Sequence, residues 1–223
     1  FAKLAREITV AAKSGMPDPK QNPRLRNAMI NARHENMPND RINKALLKAT
    51  SNEDNTQYDE MRYEGIANNG VFLIIETLTD NKNRTSSDVR AALTKNNGSM
   101  GNPGSVNYLF ERKAIFQFDT FDDALIEMGI NNNCLEIQED KNSLTFEYDP
   151  RDFKLINELF NSSPYTPSNA EVAYIPSSSI NLNADQFTKI TKLIESLEEL
   201  DDVQDVYANF DIEEKELEAL LSE

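Results

Sequence analysis

The sequence has little of what several protein classes require. Its one cysteine, Cys134, excludes an intrachain disulfide framework and a multi-cysteine zinc cluster, and we expect this thiol to be reduced and buried. Tryptophan is absent and only 7 of 223 residues are glycine, so fibrous and low-complexity classes do not fit. No apolar run approaches the roughly 18 residues that a membrane span needs. We expect a soluble protein of the cytoplasm, or of an organelle if a targeting segment precedes Phe1.

Candidate catalytic and metal-binding residues are also scarce. The single histidine, His34, lies in a basic region and Cys134 in an acidic one, so a nucleophile paired with a base is not indicated. The glycine-containing loop at residues 98–104 lacks the Gly-Lys-Ser/Thr of a phosphate-binding loop and is predicted to be a turn. Adjacent carboxylates at 122–123 and 198–202 diverge along helix ends and are predicted to be solvated. We therefore expect no catalytic residues, no metal and no cofactor.

Charge is distributed unevenly along the chain. Residues 1–50 carry ten Lys or Arg and four Asp or Glu, a net charge of +6, whereas residues 114–223 carry six and twenty-five, a net charge of −19. The whole chain has a formal charge of −15. This asymmetry predicts a basic module that can approach a polyanion and acidic modules that discourage indiscriminate binding.

The basic segment is predicted to form a three-helix bundle. Asn22 followed by Pro23 is typical of a helix start, and Gly15 with Pro17 ends the preceding helix. Apolar residues recur at helical spacing in each segment. The nine cations left for solvent, and predicted to contact nucleic acid, are Lys3, Arg6, Lys13, Arg24, Arg26, Arg33, Arg41, Lys44 and Lys48.

The remaining sequence predicts two small α/β sandwich domains, one inserted into the other, and so an α+β fold class. Residues 61–80 are predicted to form a hairpin with its turn at 68–70, and residues 84–98 a helix capped by Thr85 or Ser86. A βαββαβ unit follows. The last helix and strand of the sequence are expected to pack with the hairpin and helix of residues 61–98. The predicted domains are 1–56, then 57–115 with 178–223, and an inserted ferredoxin-like domain at 116–177.

Four stretches of the sequence closely resemble the YebC/PmpR family: DPKQNPRLRNAMINARHENMPNDRINKAL, YEG at 63–65, LTDNKNRTSSDVRAALTKNNGSMGNPGSVNYLFERK and LEELDDVQDVYANFD. The resemblance implies a non-enzymatic protein with a helical N-terminal domain and two α/β domains, the third inserted into the second. It also implies a DNA-binding transcriptional regulator or a translation factor that relieves ribosome stalls at proline-rich stretches. A basic leader that usually precedes the position of Phe1 is absent from the sequence.

The family pattern can be carried over by position. It falls on Asn22, Pro23, Arg24, Leu25, Arg26, Asn36, Met37, Pro38, Asp80, Asn81, Arg84 and Thr85. We expect Leu25 and Met37 to pack in the core. For Arg84 two interpretations stay open: a bidentate phosphate contact, or a pair with Asp80 that only stiffens the turn.

Two hypotheses follow for the partner of this protein, which we expect to be a monomer. In the first, the cations bind phosphates of DNA or ribosomal RNA, on or off the ribosome, with little base readout because no predicted helix clusters Asn, Gln and Arg. In the second, the acidic modules bind a basic partner such as a ribosomal protein. The carboxylates that would matter there are Glu198, Glu199, Asp201 and Asp202.

Overall fold

The computed structural model describes residues 1–51, 56–140, 142–213 and 215–217. The fold is α+β, with helices first and sheets after them, as predicted. The chain divides into two compact units. One unit joins Phe1–Asn107 with Ser179–Glu223, and the other, Tyr108–Ser178, is inserted between those two segments in the sequence. The finer division into three domains stays a prediction.

Helices and strands of the described residues are numbered along the chain. The helices are α1 Ala2–Ser14, α2 Pro23–His34, α3 Asn39–Thr50, α4 Lys82–Lys95, α5 Asp123–Asn131, α6 Phe153–Asn161 and α7 Ala184–Glu198. The strands are β1 Asp59–Ile66, β2 Phe72–Thr79, β3 Ser99–Met100, β4 Phe110–Phe118, β5 Glu136–Asp140, β6 Ser143–Tyr148, β7 Asn169–Pro176, β8 Ile180–Leu182, β9 Val203–Ala208 and β10 Phe210–Ile212.

Helices α1, α2 and α3 form a bundle around their own apolar core. Asn22 caps α2 as predicted, because its side chain accepts a hydrogen bond from the Leu25 backbone N–H at 3.1 Å. Leu25 and Met37 are buried, which confirms their predicted core role. The buried residues of this cluster are Ile8, Ala11, Ala12, Leu25, Ala28, Ala32, Met37, Ile42 and Ala45. We call these three helices the bundle.

The first sheet has the strand order β3-β1-β2-β9, with antiparallel neighbours. β1 and β2 form the predicted hairpin, and Asn69 and Gly70 at its tip have φ angles of 63° and 77°, the left-handed values that a tight turn needs. β9 pairs with β2, so the strand that follows α7 joins the sheet of the predicted hairpin, as expected. Helices α4 and α7 bury Val89 and Leu193 in one cluster with Leu73 of β2. We call this part the first α/β layer.

The inserted unit follows the predicted βαββαβ order. Its sheet has the order β5-β6-β4-β7 and is antiparallel throughout, the arrangement of a ferredoxin-like sandwich. Helices α5 and α6 pack on it over an aromatic core, in which Phe118 and Phe160 lie 4.8 Å apart between ring centroids. Gly129 lets α5 approach this core, because a Cβ there would collide with the Phe146 ring.

Two local predictions were wrong. Helix α4 begins at Lys82, not after Thr85 or Ser86, because Asn81 caps it by accepting a hydrogen bond from the Arg84 N–H at 3.1 Å. Cys134 is only partly buried, and its thiol donates to the Glu136 carbonyl at 2.9 Å. Burial raises the pKa of this thiol, which therefore stays protonated at neutral pH.

Candidate nucleic-acid interface

The predicted nucleic-acid cations fall into two groups that the sequence did not distinguish. Two cations of α1 turn toward the first α/β layer, whereas those of α3 and the end of α2 point to solvent. The inward group is Lys3 and Arg6, while Lys13 is exposed and donates to the connection before β1. The exposed group is Arg33, Arg41, Lys44 and Lys48. Arg24 and Arg26 hold intermediate positions, because each is bound to its own protein while part of its surface stays accessible.

Arg6 is committed to protein contacts. Its Nη1 lies 2.5 Å from Oδ1 of Asp202 and also donates to the backbone carbonyls of Leu78 at 2.8 Å and Asp201 at 2.9 Å. The guanidinium carbon sits 5.5 Å from the ring centroid of Tyr58, a cation–π contact. Only 15% of the Arg6 side chain is exposed. A phosphate could reach this guanidinium only if these contacts were broken.

Asp202 is the carboxylate on which these contacts converge. Besides Arg6, it accepts hydrogen bonds from Arg84 Nη2 at 2.8 Å and from the hydroxyls of Thr85 at 2.6 Å and Thr79 at 3.2 Å. Its side chain is 6% exposed, so the prediction of a solvated acidic cluster was wrong at this position. Burial opposes ionisation of Asp202, but the hydrogen bonds from Thr85, Arg84 and Arg6 outweigh it, and the pKa lies below its ordinary value.

Arg84 lies in the first turn of α4 and makes two ion pairs. Its Nη2 lies 2.8 Å from Asp80 and 2.8 Å from Asp202. The hydrogen bond to Asp202, and to a smaller extent the one to Asp80, raises the pKa of the guanidinium. The side chain stays 46% exposed. It borders a cleft of about 370 Å³ whose lining carries more carboxylates than cations. The pair with Asp80 is thus present, and a phosphate contact by Arg84 stays a prediction.

The two lysines of α1 bind backbone carbonyls. Lys3 donates to the carbonyl of Glu198 at the end of α7, and burial lowers the pKa of Lys3 more than nearby carboxylates raise it. Lys13 donates to the carbonyl of Thr56 at 2.9 Å. Together with Arg6, these two lysines place one side of α1 against the first α/β layer and the adjoining connection. This side of α1 is therefore a docking face within the protein.

Arg24 and Arg26, both in the NPRLR motif, brace the bundle. Arg24 forms a bidentate pair with Glu7 of α1 at 2.7 and 3.1 Å and reaches Glu60 of β1 at 2.7 Å. The hydrogen bond to Glu7, supported by Glu60, raises the pKa of Arg24. Arg26 donates to the carbonyls of Pro19 at 2.9 Å and Lys20 at 3.0 Å, which fixes the connection between α1 and α2.

The outward cations lie on exposed surface of α2 and α3. Arg41, Lys44 and Lys48 are spaced i, i+3 and i+7, which places them on one face of α3. Arg41 lies over the Phe1 ring, 5.6 Å from its centroid. Among the described residues, the side chains of Arg33 and Lys44 form no ion pair or hydrogen bond. Arg33 and Lys44 are therefore available for a ligand without breaking such a contact, whereas Arg41 contacts Phe1 and Lys48 has an interaction of its own.

The conformation of the glycine-containing loop at residues 98–104, which the sequence predicted only as a turn, depends on Glu64. The Glu64 carboxylate is buried and accepts hydrogen bonds from the backbone N–H groups of Gly104 at 2.7 Å and Asn107 at 3.3 Å, and from that of Val106. Gly104 has φ 86°, which favours glycine. The loop thus surrounds an internal carboxylate where a phosphate-binding loop would hold an anion. Glu64, the acidic residue of the YEG motif, was the sequence feature from which this interaction could have been predicted.

The two candidate catalytic residues belong to different units of the chain. His34 is exposed at the end of α2, and Cys134 lies in the inserted unit. Within the described part of the chain, no group of three or more His, Cys, Asp or Glu side chains is arranged to hold a metal ion. No helix in that same part is both long and apolar enough to cross a bilayer.

Two family models match the sequence over nearly its whole length. Residues 1–52 match the model described as TACO1/YebC protein N-terminal domain. Residues 58–210 match the model described as TACO1/YebC second and third domain. The boundary between the two matches falls in the connection between α3 and β1.

Individual proteins are similar over the same range. A protein of Geotalea uraniireducens, named "Probable transcriptional regulatory protein", is 40% identical over 223 residues, covering 99% of this chain and 90% of its own length. A protein of the same name from Geobacillus thermodenitrificans is 41% identical over 216 residues, covering 95% and 87%. The crystal structure of the conserved hypothetical protein Aq1575 from Aquifex aeolicus superposes with a TM-score of 0.83 at 37% identity, covering 96% of this chain and 90% of that chain.

Proposed function

Because the chain belongs to the TACO1/YebC family and its curated relatives are named probable transcriptional regulatory proteins, we propose that it is a non-enzymatic, nucleic-acid-binding regulator of gene expression. The observation that carries the proposal is the exposed row of cations on the bundle. Arg41, Lys44 and Lys48 follow one face of α3, and Arg33 lies in the last turn of α2. Cations concentrated on one helical module of a strongly acidic chain favour a polyanionic ligand.

The bundle binds by neutralising phosphates. Each Lys or Arg that replaces condensed counterions contributes to affinity, and the affinity falls as salt concentration rises. Arg6 and Arg24 act differently, because they are held by carboxylates and fix the shape of the module that carries the outward cations. The contact set that we propose is therefore narrower than the ten cations predicted from the sequence.

The nucleic acid is DNA in a transcriptional role or ribosomal RNA in a translational role, and both present the same phosphate charge. Sedimentation of a lysate through a sucrose gradient separates the two. Comigration with ribosomal subunits, lost when the subunits are dissociated, supports the translational role. Recovery with DNA in the free fractions supports the transcriptional role. We place the protein in the cytoplasm in either case.

The proposal is tested by charge reversal on the outward face. The variant Arg33→Glu with Arg41→Glu and Lys44→Glu should bind duplex DNA and ribosomal RNA more weakly than the parent protein. The slope of log affinity against log salt should become shallower by about 2 to 3, because three phosphate contacts are lost. Fluorescence anisotropy between about 50 and 200 mM salt measures both quantities.

The matched control has the same change in net charge at exposed lysines outside the bundle. It combines Lys95→Glu, Lys192→Glu and Lys215→Glu. Unchanged binding by the control, with weakened binding by the bundle variant, supports a local contact surface. Equal weakening of both variants would mean that only overall charge matters, and the proposed surface would be wrong.

A basic protein partner is the competing candidate. Exposed carboxylates of Glu198, Glu199 and Asp201 at the end of α7 favour it, but Asp202 is already occupied by Arg6 and Arg84. Pull-down from nuclease-treated lysate discriminates between the two. A basic protein retained after RNA and DNA are destroyed, and lost on Glu198→Gln with Glu199→Gln, would favour protein docking over nucleic-acid binding.

A further inference from the structure

The bundle and the first α/β layer have separate apolar cores. The bundle cluster around Ile8 and Leu25 shares no residue with the cluster around Leu73 and Leu193. Apolar burial within each cluster stabilises that cluster and does not by itself fix one against the other. The orientation of the bundle therefore depends on contacts outside these two cores.

Polar groups supply such contacts. From α1, Arg6 reaches β2 and the segment after α7, and Lys3 reaches the end of α7. From α2, Arg24 reaches Glu60 of β1, but this pair is solvent-accessible, with the Arg24 side chain 42% and the Glu60 side chain 66% exposed. An exposed ion pair contributes little to stability, whereas a buried one is sensitive to the loss of either partner. This makes the buried contact of Arg6 the main candidate for fixing the bundle.

We infer that Asp202 is the positioning residue that docks the bundle on the first α/β layer. Four side chains donate to its carboxylate, and they come from three parts of the fold: Arg6 from α1, Thr79 from the end of β2, and Arg84 with Thr85 from α4. Arg6 supplies the contact of the bundle in this convergence. Because α1 is held against the first α/β layer, the exposed cations of α2 and α3 keep a fixed orientation relative to that layer.

The geometry at Arg6 sets a direction as well as a distance. The planar guanidinium donates to the Asp202 carboxylate and to the carbonyls of Leu78 and Asp201 while it lies over Tyr58. A planar group held by several acceptors and a ring has little rotational freedom. Loss of the Asp202 charge leaves Arg6 and Arg84 close together without their shared counterion, and their mutual repulsion disfavours the docked arrangement.

The test compares Asp202→Asn with Asp201→Asn. Both variants remove one negative charge at neighbouring positions, but the Asp201 side chain is exposed and takes no part in the convergence on Asp202. The full chain carries Cys134→Ser and spin labels on cysteines placed at two exposed positions, Asn43 of α3 and Lys192 of α7. Pulsed electron–electron double resonance spectroscopy then reports the distribution of distances between the two labels.

We expect a narrow distance distribution for the parent chain and for Asp201→Asn. For Asp202→Asn the distribution should become roughly twice as broad or more, while the far-ultraviolet circular dichroism stays unchanged. A narrow distribution for Asp202→Asn, or equal broadening for both variants, would overturn the inference. Nucleic-acid affinity is not needed for this readout, so the inference and the proposed function fail independently.

A second variant covers the case in which Asp202→Asn does not fold. Arg6→Gln removes the guanidinium that the bundle donates to Asp202, but it leaves Asp202 paired with Arg84 and hydrogen-bonded to Thr85. It should broaden the distance distribution in the same way. A folded Arg6→Gln variant with a narrow distribution would show that Arg6 and Asp202 do not set the position of the bundle.

Discussion

Helices α1 and α3 carry similar numbers of cations and use them in opposite ways. In α1, Arg6 and Lys3 donate to acceptors of the first α/β layer, while in α3 the cations at Arg41, Lys44 and Lys48 remain exposed. Both helices bury an apolar stripe in the same core, so the difference does not arise from amphipathicity. It arises because α1 has a second neighbour. A basic surface read from one helix is therefore a set of candidates, and the acceptors of neighbouring elements decide which cations stay available.

The largest effect that sharpens this comparison is on stability. Arg6→Ala should lower the free energy of unfolding by about 3 kcal/mol, because it removes a guanidinium from a nearly buried carboxylate and also removes its hydrogen bonds to two backbone carbonyls. Lys44→Ala, on the exposed face of α3, should change it by less than about 0.5 kcal/mol. Urea unfolding followed by circular dichroism measures both. Equal losses would mean that α1 and α3 do not differ in the way described.

A smaller effect is expected from pH. The folded-state pKa of Asp202 lies below its ordinary value of 3.8, so its ion pairs stabilise the protein fully above that value and lose their contribution as pH falls through the folded pKa. The stability advantage of the parent chain over Asp202→Asn should therefore be constant near neutral pH and shrink below about pH 4. Unfolding at a series of pH values tests this. A difference that grows on acidification would contradict the assigned ionisation.

The smallest effect concerns Lys3. Lys3→Met keeps the aliphatic contacts and removes one hydrogen bond to the Glu198 carbonyl, so a loss of about 0.5 to 1 kcal/mol is expected. The same substitution at Lys44 is the control, since the side chain of Lys44 forms no ion pair or hydrogen bond within the described residues. Thermal unfolding of the two variants gives the comparison. Identical melting temperatures would show that the Lys3 hydrogen bond contributes nothing net.

Much of the fold could be predicted from local patterns. Helical spacing identified Leu25 and the apolar stripes of the bundle, and the Asn-Gly pair identified the hairpin tip at Asn69. The start of α4 was missed because Asn81 and Thr85 are both acceptable caps in sequence, and only the structure shows that the Thr85 hydroxyl is instead bound to Asp202. Local sequence patterns thus predict the type of an element more reliably than the residue at which the element begins.

The site was less predictable because its partners are distant in sequence. Asp202 lies 196 positions from Arg6 and 118 from Arg84, and neither separation leaves a periodic signal. In the sequence, Asp202 resembles its exposed neighbour Asp201, and burial alone distinguishes them. Sequence reasoning correctly marked Arg84 as a residue to be explained and included the pair with Asp80, but it did not anticipate the second carboxylate.

The separation between Arg6 and Asp202 has a consequence for synthesis of the chain. The N-terminal helices can pack as soon as they emerge, and the inserted unit can close its sheet when β7 pairs with β4. Asp202 and β9 are made only after these segments, so the bundle spends most of translation without its docking partner. During that interval Arg6 lacks the Asp202 carboxylate and Lys3 lacks the Glu198 carbonyl, so both cations of the nascent chain miss acceptors that they have in the finished protein. The contact of α1 with Asp202 thus forms late in folding, although the contacts of Arg6 with Leu78 and Tyr58 can form earlier.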